Sequence, residues 1–364
     1  MQISKGDKIF IAGHRGLVGS AIVRKLLTAG YESLLLRSRS ELDLAEKGAV
    51  DEFFAVQKPD YVFLAAAKVG GIYANDTQPA DFIYDNLMVQ NNVLSAACKY
   101  RVKRLLFLGS SCIYPRLAPQ PMREEYLLSG PLEPTNSAYA VAKIAGIEMC
   151  YAFNRQYKTN FVPVMPTNLY GPNDNYDLMN SHVMPAMIRK FHLAKLAAAG
   201  DEAALLADTE KYGLIPLEFY QNLMQIALFY GYSLSGVGAS GRGPFLRAKK
   251  SDVVTLWGTG TPMREFLYVD DLADALVFIM FEAEILQLLN IGTGVDQTIS
   301  ELAECVRRVV DYPGAIEFDV TKPDGMPRKL LDVSRLKALG WRPQFTLEEG
   351  VRAAYKNYLE GVNN

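Results

Sequence analysis

The sequence has no excess of charge of either sign. Across 364 residues, 38 Lys and Arg stand against 40 Asp and Glu, which gives a formal net charge of −2. Because a basic excess is missing, we expect no binding to nucleic acid or to an anionic membrane surface. An anionic substrate would have to be held by a few cations at particular positions.

Cysteine and histidine are scarce, with 4 and 3 residues. The cysteines, at positions 98, 112, 150 and 305, have neither metal-ligand nor redox-motif spacing, so we expect no metal site and no disulfide framework. A reduced, cytoplasmic protein is the expectation.

Long apolar runs are also missing. No run is long enough to span a bilayer, and the N-terminal MQISKGDKIFIAG lacks the apolar core and cleavage site of a secretory signal. We therefore expect no membrane association. With 49% hydrophobic residues, the chain can still bury a sizeable core and a second, smaller one.

Short apolar runs alternate with helix-like stretches through the first half of the chain. The runs KIFIA, YVFLA and RLLFLG are apolar throughout, as strands of a parallel sheet are when both faces are covered. The alternation predicts βαβ units, and therefore an α/β fold with a Rossmann-type doubly wound parallel sheet. The predicted strands are 8–12, 33–36, 61–65 and 104–108, and the predicted helices are 19–29, 86–100 and 138–155.

A domain boundary is predicted after Pro166, where PTNLYGPNDNY is rich in turn residues. We predict a Rossmann domain over 1–170 with a returning segment at about 266–293. The remaining segments, 171–265 and 294–364, would form a smaller C-terminal substrate-binding domain.

The stretch from about 193 to 251 is a predicted helical insertion. Pro216 precedes the helix-like run LEFYQNLMQIALFYG, and Gly231 ends it. A Gly/Ser segment, 233–244, follows and is predicted to be flexible. The helix would either bury its apolar stripe on its own domain or contact a partner or second copy. That stripe comprises Leu217, Tyr220, Leu223, Met224 and Ala227.

A glycine-rich turn, G-x-x-G-x-x-G, directly follows the first predicted strand and leads into a helix. Glycines there let the backbone approach a pyrophosphate, which then lies on the N–H groups of the helix N-terminus. The turn predicts a dinucleotide site formed by Gly13, His14, Arg15, Gly16, Leu17, Val18 and Gly19.

Arginines follow the second predicted strand, where an NAD enzyme usually presents a carboxylate to the ribose 2′-hydroxyl. Arg37 and Arg39 stand there, and Arg15 lies in the glycine turn. Because guanidinium groups pair well with phosphate, and because we find no competing carboxylate in the pattern, the sequence predicts NADP(H).

Three residue types typical of carbonyl reduction come next. Ser110 follows the strand at 104–108, and Tyr139 and Lys143 lie four residues apart on one predicted helix face. The ammonium could lower the pKa of the phenol, which would then act as an acid/base, while the serine holds the reacting carbonyl.

In this order the motifs resemble the extended short-chain dehydrogenase/reductase superfamily, and more closely the GDP-L-fucose synthase family. The blocks that carry the closer resemblance cover nearly all of the chain apart from about 193–251. They include GHRGLVGSAI, LAAAKVGGIYAN, FLGSSCIYP, LEPTNSAYAVAKIAG, VMPTNLYGPNDN, SHVMPA, WGTGTPMREFLYVDDLA, NIGTGVD and KPDGMPRKLLDVSRL.

The resemblance implies 3,5-epimerisation and NADPH-dependent 4-reduction of GDP-4-keto-6-deoxy-D-mannose to GDP-L-fucose. Ser110, Tyr139 and Lys143 would form the reductase triad. Cys112 and His182 would be the acid/base pair of epimerisation. The chemistry agrees, because hydrogens on carbons that flank a ketone can leave as an enolate forms, and a thiol and an imidazole both titrate near neutrality.

The resemblance also implies the binding residues. Besides the glycine turn, the cofactor would contact Arg39, Leu42, Asp43, Leu44, Leu108, Gly109, Ser110, Ser111, Tyr139, Lys143, Pro166, Thr167, Asn168, Leu169 and His182. GDP and sugar would contact Lys190, Trp257, Arg264 and Asp324. Position 190 often holds arginine in the family, and lysine keeps the charge without the bidentate fork.

Four alternatives stay open. A sugar-nucleotide dehydratase would place an acidic residue where this chain has Ser111 and Cys112, and a 4-epimerase would not need the arginines. An NADPH-sensing protein on the same fold would not need both Tyr139 and Lys143. A related GDP-keto-sugar, such as one lacking the C3 oxygen, is also compatible with the sequence.

A homodimer is implied by the same resemblance, through packing of the helices at 86–100 and 138–155 on their copies in a second chain. Light scattering should then give a mass well above the 40.4 kDa of one chain.

Overall fold

A computed structural model of the chain describes residues 4–235, 250–322 and 324–361. The chain divides into two compact units. The first comprises Met1–Asn173, Glu265–Asp296 and Lys329–Leu347, and the second comprises Asp174–Arg264, Gln297–Arg328 and Glu348–Asn364. The segment Lys329–Leu347, which the sequence pattern assigned to the substrate-binding domain, packs within the first unit.

The elements alternate as expected for an α/β chain. In order they are β1 (Ile9–Ala12), α1 (Leu17–Thr28), β2 (Leu34–Leu35), α2 (Lys47–Gln57), β3 (Tyr61–Leu64), α3 (Ile72–Thr77), α4 (Pro79–Lys99), β4 (Arg104–Leu108), α5 (Ser137–Tyr157), β5 (Phe161–Pro166), β6 (Asn168–Tyr170), α6 (Val183–Ala199), α7 (Glu202–Tyr212), α8 (Leu217–Phe229), β7 (Val253–Trp257), β8 (Met263–Tyr268), α9 (Val269–Phe281), β9 (Leu289–Ile291), β10 (Asp296–Thr298), α10 (Ile299–Val310), β11 (Ala315–Asp319), β12 (Arg328–Lys329), α11 (Ser334–Ala338) and α12 (Leu347–Glu360), with short 3₁₀ turns at Ser111–Ile113, Glu124–Tyr126 and Pro134–Asn136.

A six-stranded sheet forms the centre of the first unit, in the order β2-β1-β3-β4-β5-β9. Every neighbouring pair in it is parallel. This sheet confirms the predicted Rossmann-type α/β class. The carboxyl ends of its strands are where such folds place a bound dinucleotide.

Both faces of this sheet are buried, which explains why the strands read as continuous apolar runs. In β1, Ile9 and Ile11 join a core layer with residues of α1 and α9. The intervening Phe10 and Ala12 join the opposite layer with residues of α2, α4 and α5. Because side chains alternate along a strand, each face receives every second residue.

Helix α4 begins earlier than predicted. It runs from Pro79, at the first helical position, rather than from Asn86. Proline fits there because the first N–H groups of a helix have no partner inside it. The polar Asn86, which looked like a helix start, is buried in the helix, where its amide donates to the carbonyls of Phe82 (2.7 Å) and Lys68 (3.0 Å).

The predicted insertion contains two helices of the second unit, α7 and α8. Helix α8 ends at Phe229, and Gly231 follows with φ +92°, the left-handed conformation that ends many helices. The predicted stripe was partly wrong, because Leu217 and Met224 are only half-buried. The buried residues are instead Phe219, Tyr220, Leu223, Ile226 and Ala227. Most of the predicted Gly/Ser segment lies outside the described residues.

A buried ion pair anchors α7 in the second unit. Arg189 of α6 is fully buried and donates to Asp208 of α7 at 2.8 Å. Its guanidinium also donates to the carbonyls of Tyr176 (3.0 Å) and Tyr212 (2.8 Å). A buried charge is tolerated only when paired and hydrogen-bonded, so this network holds α7 against α6.

Within the part of the chain that the structure describes, no helix combines the length and apolarity needed to cross a bilayer.

Candidate active site

The glycine turn brings backbone atoms into contact that side chains would separate. A Cβ on Gly19 would lie 2.1 Å from the Gly13 carbonyl oxygen, and a Cβ on Gly13, with φ +88°, would lie 2.8 Å from the Ala66 nitrogen. Gly16 is the N-cap of α1 and has no side chain to accept the N–H groups of the first turn. The backbone of this turn is therefore open to close approach by a pyrophosphate, and its contact with one stays a prediction.

His14 connects this turn to the end of β2. Burial and the charge of Arg15 lower its pKa, and the charge of Glu41 and a hydrogen bond with the Arg37 backbone oppose this shift. Its Nδ1 atom is buried without a hydrogen-bond partner among the described residues. A neutral imidazole with a spare nitrogen suits contact with a polar cofactor group.

The arginines at the end of β2 differ in their surroundings. Arg15 and Arg39 are exposed, whereas Arg37 is half-buried, donates to the Leu36 carbonyl at 2.8 Å and lies 5.7 Å from the Phe53 ring centroid. Arg39 reaches Asp43 at 3.5 Å.

A carboxylate that the sequence pattern missed stands in this cluster. Glu41 accepts the Ser38 N–H at 2.7 Å and the Ser38 hydroxyl at 2.6 Å. These bonds lower its pKa, and Arg37 and Arg15 lower it further. The expectation that no carboxylate competes for the arginines was therefore wrong, although Ser38 already occupies one oxygen of Glu41.

We expect NADPH to exceed NADH in kcat/KM by tenfold or more, because a charge-assisted hydrogen bond contributes roughly 1.5–3 kcal/mol. Arg15→Gln and Arg37→Gln should each lower the value for NADPH and leave that for NADH unchanged. Arg155→Gln, at an exposed site on α5, is the matched control. Steady-state rates with both cofactors check this, and equal kcat/KM values in the unaltered enzyme would contradict it.

Ser110, Cys112 and Tyr139 meet beyond the end of β4. Ser110 caps the 3₁₀ turn Ser111–Ile113, and its Oγ accepts the Cys112 N–H at 3.5 Å. Burial raises the pKa of the Tyr139 phenol, and a hydrogen bond with Ser110 acts in the opposite direction. The predicted serine and tyrosine therefore lie within hydrogen-bond reach of each other.

Lys143, the third residue of the predicted triad, lies close to Tyr139, but burial is the main influence on the pKa of that tyrosine. Its Nζ donates to the Leu108 carbonyl at 3.0 Å and lies 5.7 Å from the Tyr139 ring centroid. Burial lowers the pKa of Lys143 to about 8. Burial raises the phenol pKa, contrary to the predicted lowering by Lys143, and keeps the phenol protonated at neutral pH.

Cys112 is 8% exposed and lies beside the triad. Burial raises the pKa of its thiol, while the charge of Lys329, a hydrogen bond with Ser110 and the charge of Lys143 oppose the rise. The two ammonium groups favour the thiolate, so this cysteine has more access to its ionised form than a thiol in an apolar core.

The predicted nicotinamide segment, 166–169, is held by a residue that sequence reasoning missed. The backbone carbonyl of Glu265 accepts the Asn168 amide at 2.8 Å and the Thr167 hydroxyl at 3.4 Å. Its buried carboxylate accepts the N–H groups of Gly294 (2.7 Å) and Leu331 (3.1 Å), and burial raises its pKa. Only the tertiary contacts reveal this role, because Glu265 is nearly 100 residues away from that segment in sequence.

The predicted substrate residues belong to the second unit. Lys190 Nζ lies 5.0 Å from the Phe219 ring centroid, and burial lowers its pKa to about 8. Asp324 accepts hydrogen bonds from the N–H and the hydroxyl of Thr259 at 2.9 and 2.7 Å. Burial lowers the pKa of the Arg264 guanidinium, and the charge of Asp324 opposes this shift.

Two further predicted residues of this unit are exposed. His182 is the N-cap of α6, and Trp257 ends β7 with 61% of its surface exposed. Lys322, which the prediction did not include, lies over the Trp257 ring at 5.1 Å.

Known proteins resemble this chain over nearly all of its length. The model of the NAD dependent epimerase/dehydratase family matches residues 9–210 and 241–292. A putative GDP-L-fucose synthase 2 of Arabidopsis thaliana is 49% identical over 99% of this chain and 94% of its own length. The GDP-L-fucose synthase of Escherichia coli (strain K12) is 48% identical over 97% of each chain.

A solved structure extends the comparison to the cofactor. A GDP-D-glycero-L-gluco-heptose synthase from Campylobacter jejuni, solved in the presence of NADPH, is 38% identical, covers 99% of this chain and 100% of its own, and has a TM-score of 0.80. These findings confirm the family predicted from the motifs. The chain belongs to the NAD dependent epimerase/dehydratase family and, within it, to the GDP-L-fucose synthase family.

Proposed function

We propose that the protein makes GDP-L-fucose, by inverting C3 and C5 of GDP-4-keto-6-deoxy-D-mannose and reducing C4 with NADPH. The observation that carries this function is the meeting of Cys112 with Ser110, Tyr139 and Lys143 in one unit. Relatives that are 48–49% identical over nearly the whole chain bear the name of this activity. The enzyme is an NADP(H)-dependent oxidoreductase that also isomerises its substrate.

The cofactor is held by the glycine turn, the arginines and the segment 166–169. When bound, NADPH supplies the hydride for C4. Ser110 donates a hydrogen bond to the C4 oxygen, and Tyr139 gives that oxygen a proton as charge develops on it. Lys143, held on the Leu108 carbonyl, places positive charge beside the tyrosine.

Inversion at C3 and C5 needs a base on one face of the sugar and an acid on the other. The Cys112 thiolate removes the proton, and the ketone stabilises the resulting enolate while Ser110 and Tyr139 hold its oxygen. His182 returns a proton to the opposite face. The hydrogen bonds of Ser110 and Tyr139 to the C4 oxygen thus serve both the epimerisation and the reduction.

Lys190 makes binding of the GDP group depend on pH. Because burial lowers its pKa to about 8, it is charged below that pH and loses its charge above it. The affinity for GDP should therefore fall several-fold as the pH rises through about 8, and GDP binding should take up a proton there. Calorimetric titration with GDP across this range measures both effects.

The Lys190→Arg variant should keep nearly its full affinity for GDP up to about pH 9.5, because arginine stays protonated over this range. Lys195→Arg, a change at a half-exposed lysine paired with Asp311, serves as the control. A GDP affinity that falls equally in Lys190→Arg and in the unaltered enzyme would show that another group titrates.

The function is tested by supplying the purified enzyme and NADPH with GDP-4-keto-6-deoxymannose or with its analogue that lacks the C3 oxygen. Nuclear magnetic resonance of the product should show GDP-L-fucose, formed with the higher kcat/KM. A clear preference for the deoxygenated analogue would identify a related GDP-keto-sugar as the substrate.

The homodimer through α4 and α5 stays a prediction that light scattering can test. A cytoplasmic location likewise stays a prediction, which follows from the scattered cysteines.

A further inference from the structure

We propose that Glu218 of α8, together with Lys322, selects guanine by hydrogen-bonding the edge of a base stacked on Trp257. This inference rests on the proposed function and on the predicted contacts of Trp257 and Lys190 with the GDP group. It adds Glu218, which lies outside the family motifs, and gives a role to Lys322, the first residue of the motif KPDGMPRKLLDVSRL. Helix α8 lies within 211–240, a stretch that the family model leaves unmatched.

An exposed indole and an ion pair stand together at this place. Lys322 Nζ lies 3.3 and 3.4 Å from the two carboxylate oxygens of Glu218 and 5.1 Å from the centroid of the Trp257 ring. The indole is 61% exposed and the Glu218 side chain 65% exposed. An aromatic surface of this size beside a tethered pair of opposite charges is suited to a planar, polar ring.

Helix α8 is fixed relative to the strand that carries the indole. The Asn222 amide donates to the Val253 carbonyl at 2.8 Å and accepts the Thr255 N–H at 3.3 Å, so one side chain spans the backbone of β7. Phe219, next to Glu218, is buried under Lys190 at 5.0 Å. Glu218 is therefore held near both Trp257 and Lys190, which are predicted to contact GDP and sugar.

The chemistry of the pair matches guanine. The edge of guanine offers the acceptor O6 and two neighbouring donors, N1–H and the N2 amine. A carboxylate accepts two such N–H groups, and an ammonium donates to O6. Adenine presents an amine and a bare ring nitrogen instead, so it would place an acceptor against Glu218 and a donor against Lys322.

Calorimetric titration with GDP, IDP and ADP tests this assignment, because IDP keeps O6 and N1–H but lacks the N2 amine. The unaltered enzyme should bind GDP about tenfold or more tightly than IDP. Glu218→Gln should reduce the ratio of the GDP affinity to the IDP affinity to near one, mainly by weakening the binding of GDP. Lys322→Gln should instead lower the affinities for GDP and IDP by the same factor and leave the affinity for ADP unchanged. Glu210→Gln, at an exposed site on α7, is the control and should behave as the unaltered enzyme.

The outcomes separate the inference from the function on which it rests. Tight GDP binding with an unchanged GDP/IDP ratio in Glu218→Gln would overturn the role of Glu218 and leave the proposed function standing. Failure of the unaltered enzyme to bind GDP would overturn the proposed function itself. A melting temperature equal to that of the unaltered enzyme shows that each variant is folded. Quenching of tryptophan fluorescence by GDP, lost in Trp257→Phe, reports that the base stacks at this indole.

Discussion

Replacing Tyr139 with phenylalanine should lower the rate of C4 reduction by about 10²–10⁴-fold, the usual contribution of a positioned general acid. Burial raises the pKa of this phenol, so it is protonated and ready to donate at neutral pH. Phenylalanine keeps the ring that packs edge-on against Phe82 at 6.2 Å and removes only the hydroxyl. Single-turnover oxidation of NADPH, followed by absorbance, measures the loss.

The same variant should keep part of its hydrogen exchange at C3 and C5, because enolisation does not need hydride transfer. Tyr84→Phe, at an exposed tyrosine on α4, is the control for loss of a hydroxyl. Reduction at the native rate in Tyr139→Phe would show that another group protonates the C4 oxygen.

Replacing Cys112 with alanine should abolish the exchange of deuterium into C3 and C5 in D2O without NADPH. Given NADPH, this variant should still reduce C4 slowly and give an un-epimerised 6-deoxy sugar, because Ser110, Tyr139 and Lys143 remain. Cys98→Ala, a change at a half-buried thiol of the same unit, should exchange as the unaltered enzyme does. Proton resonance intensities at the two carbons give the rates.

The pH dependence of this exchange follows from the state of the thiol. Burial raises the Cys112 pKa, so the thiolate is the minor form at neutral pH and its fraction grows as the pH rises. The exchange rate should therefore increase towards alkaline pH. Native exchange in Cys112→Ala would make this thiol a core residue and would require a different base.

Local pattern was enough to predict four strands of the first unit, β1 to β4, and three of its helices, α1, α4 and α5. A parallel sheet covered on both faces leaves continuous apolar runs, and the glycine turn and the Tyr139–Lys143 spacing are contiguous in sequence. The start of α4 was placed too late, at Asn86, because local pattern does not reveal that this polar side chain is hydrogen-bonded to the backbone of Lys68, 18 residues earlier.

Glu41 was missed although it is a near neighbour of Arg37 in sequence, because residue types alone do not show that hydrogen bonds to Ser38 hold its carboxylate near the arginines. Long-range contacts account for the other omissions. Glu218 and Lys322 are 104 residues apart, and Glu265 holds segments from three parts of the chain. Burial also raises the pKa of Tyr139, which the spacing to Lys143 had predicted to be lowered. A pattern of residue types does not reveal how far a phenol is removed from water.

The most direct test of the account is the pattern of isotopes in the product made from GDP-4-keto-6-deoxymannose and NADPH in D2O. The account predicts GDP-L-fucose with deuterium at C3 and C5, from the solvent through Cys112 and His182, and with protium at C4, from NADPH. A reduced sugar that carries protium at all three carbons and the unchanged D-manno configuration would contradict it.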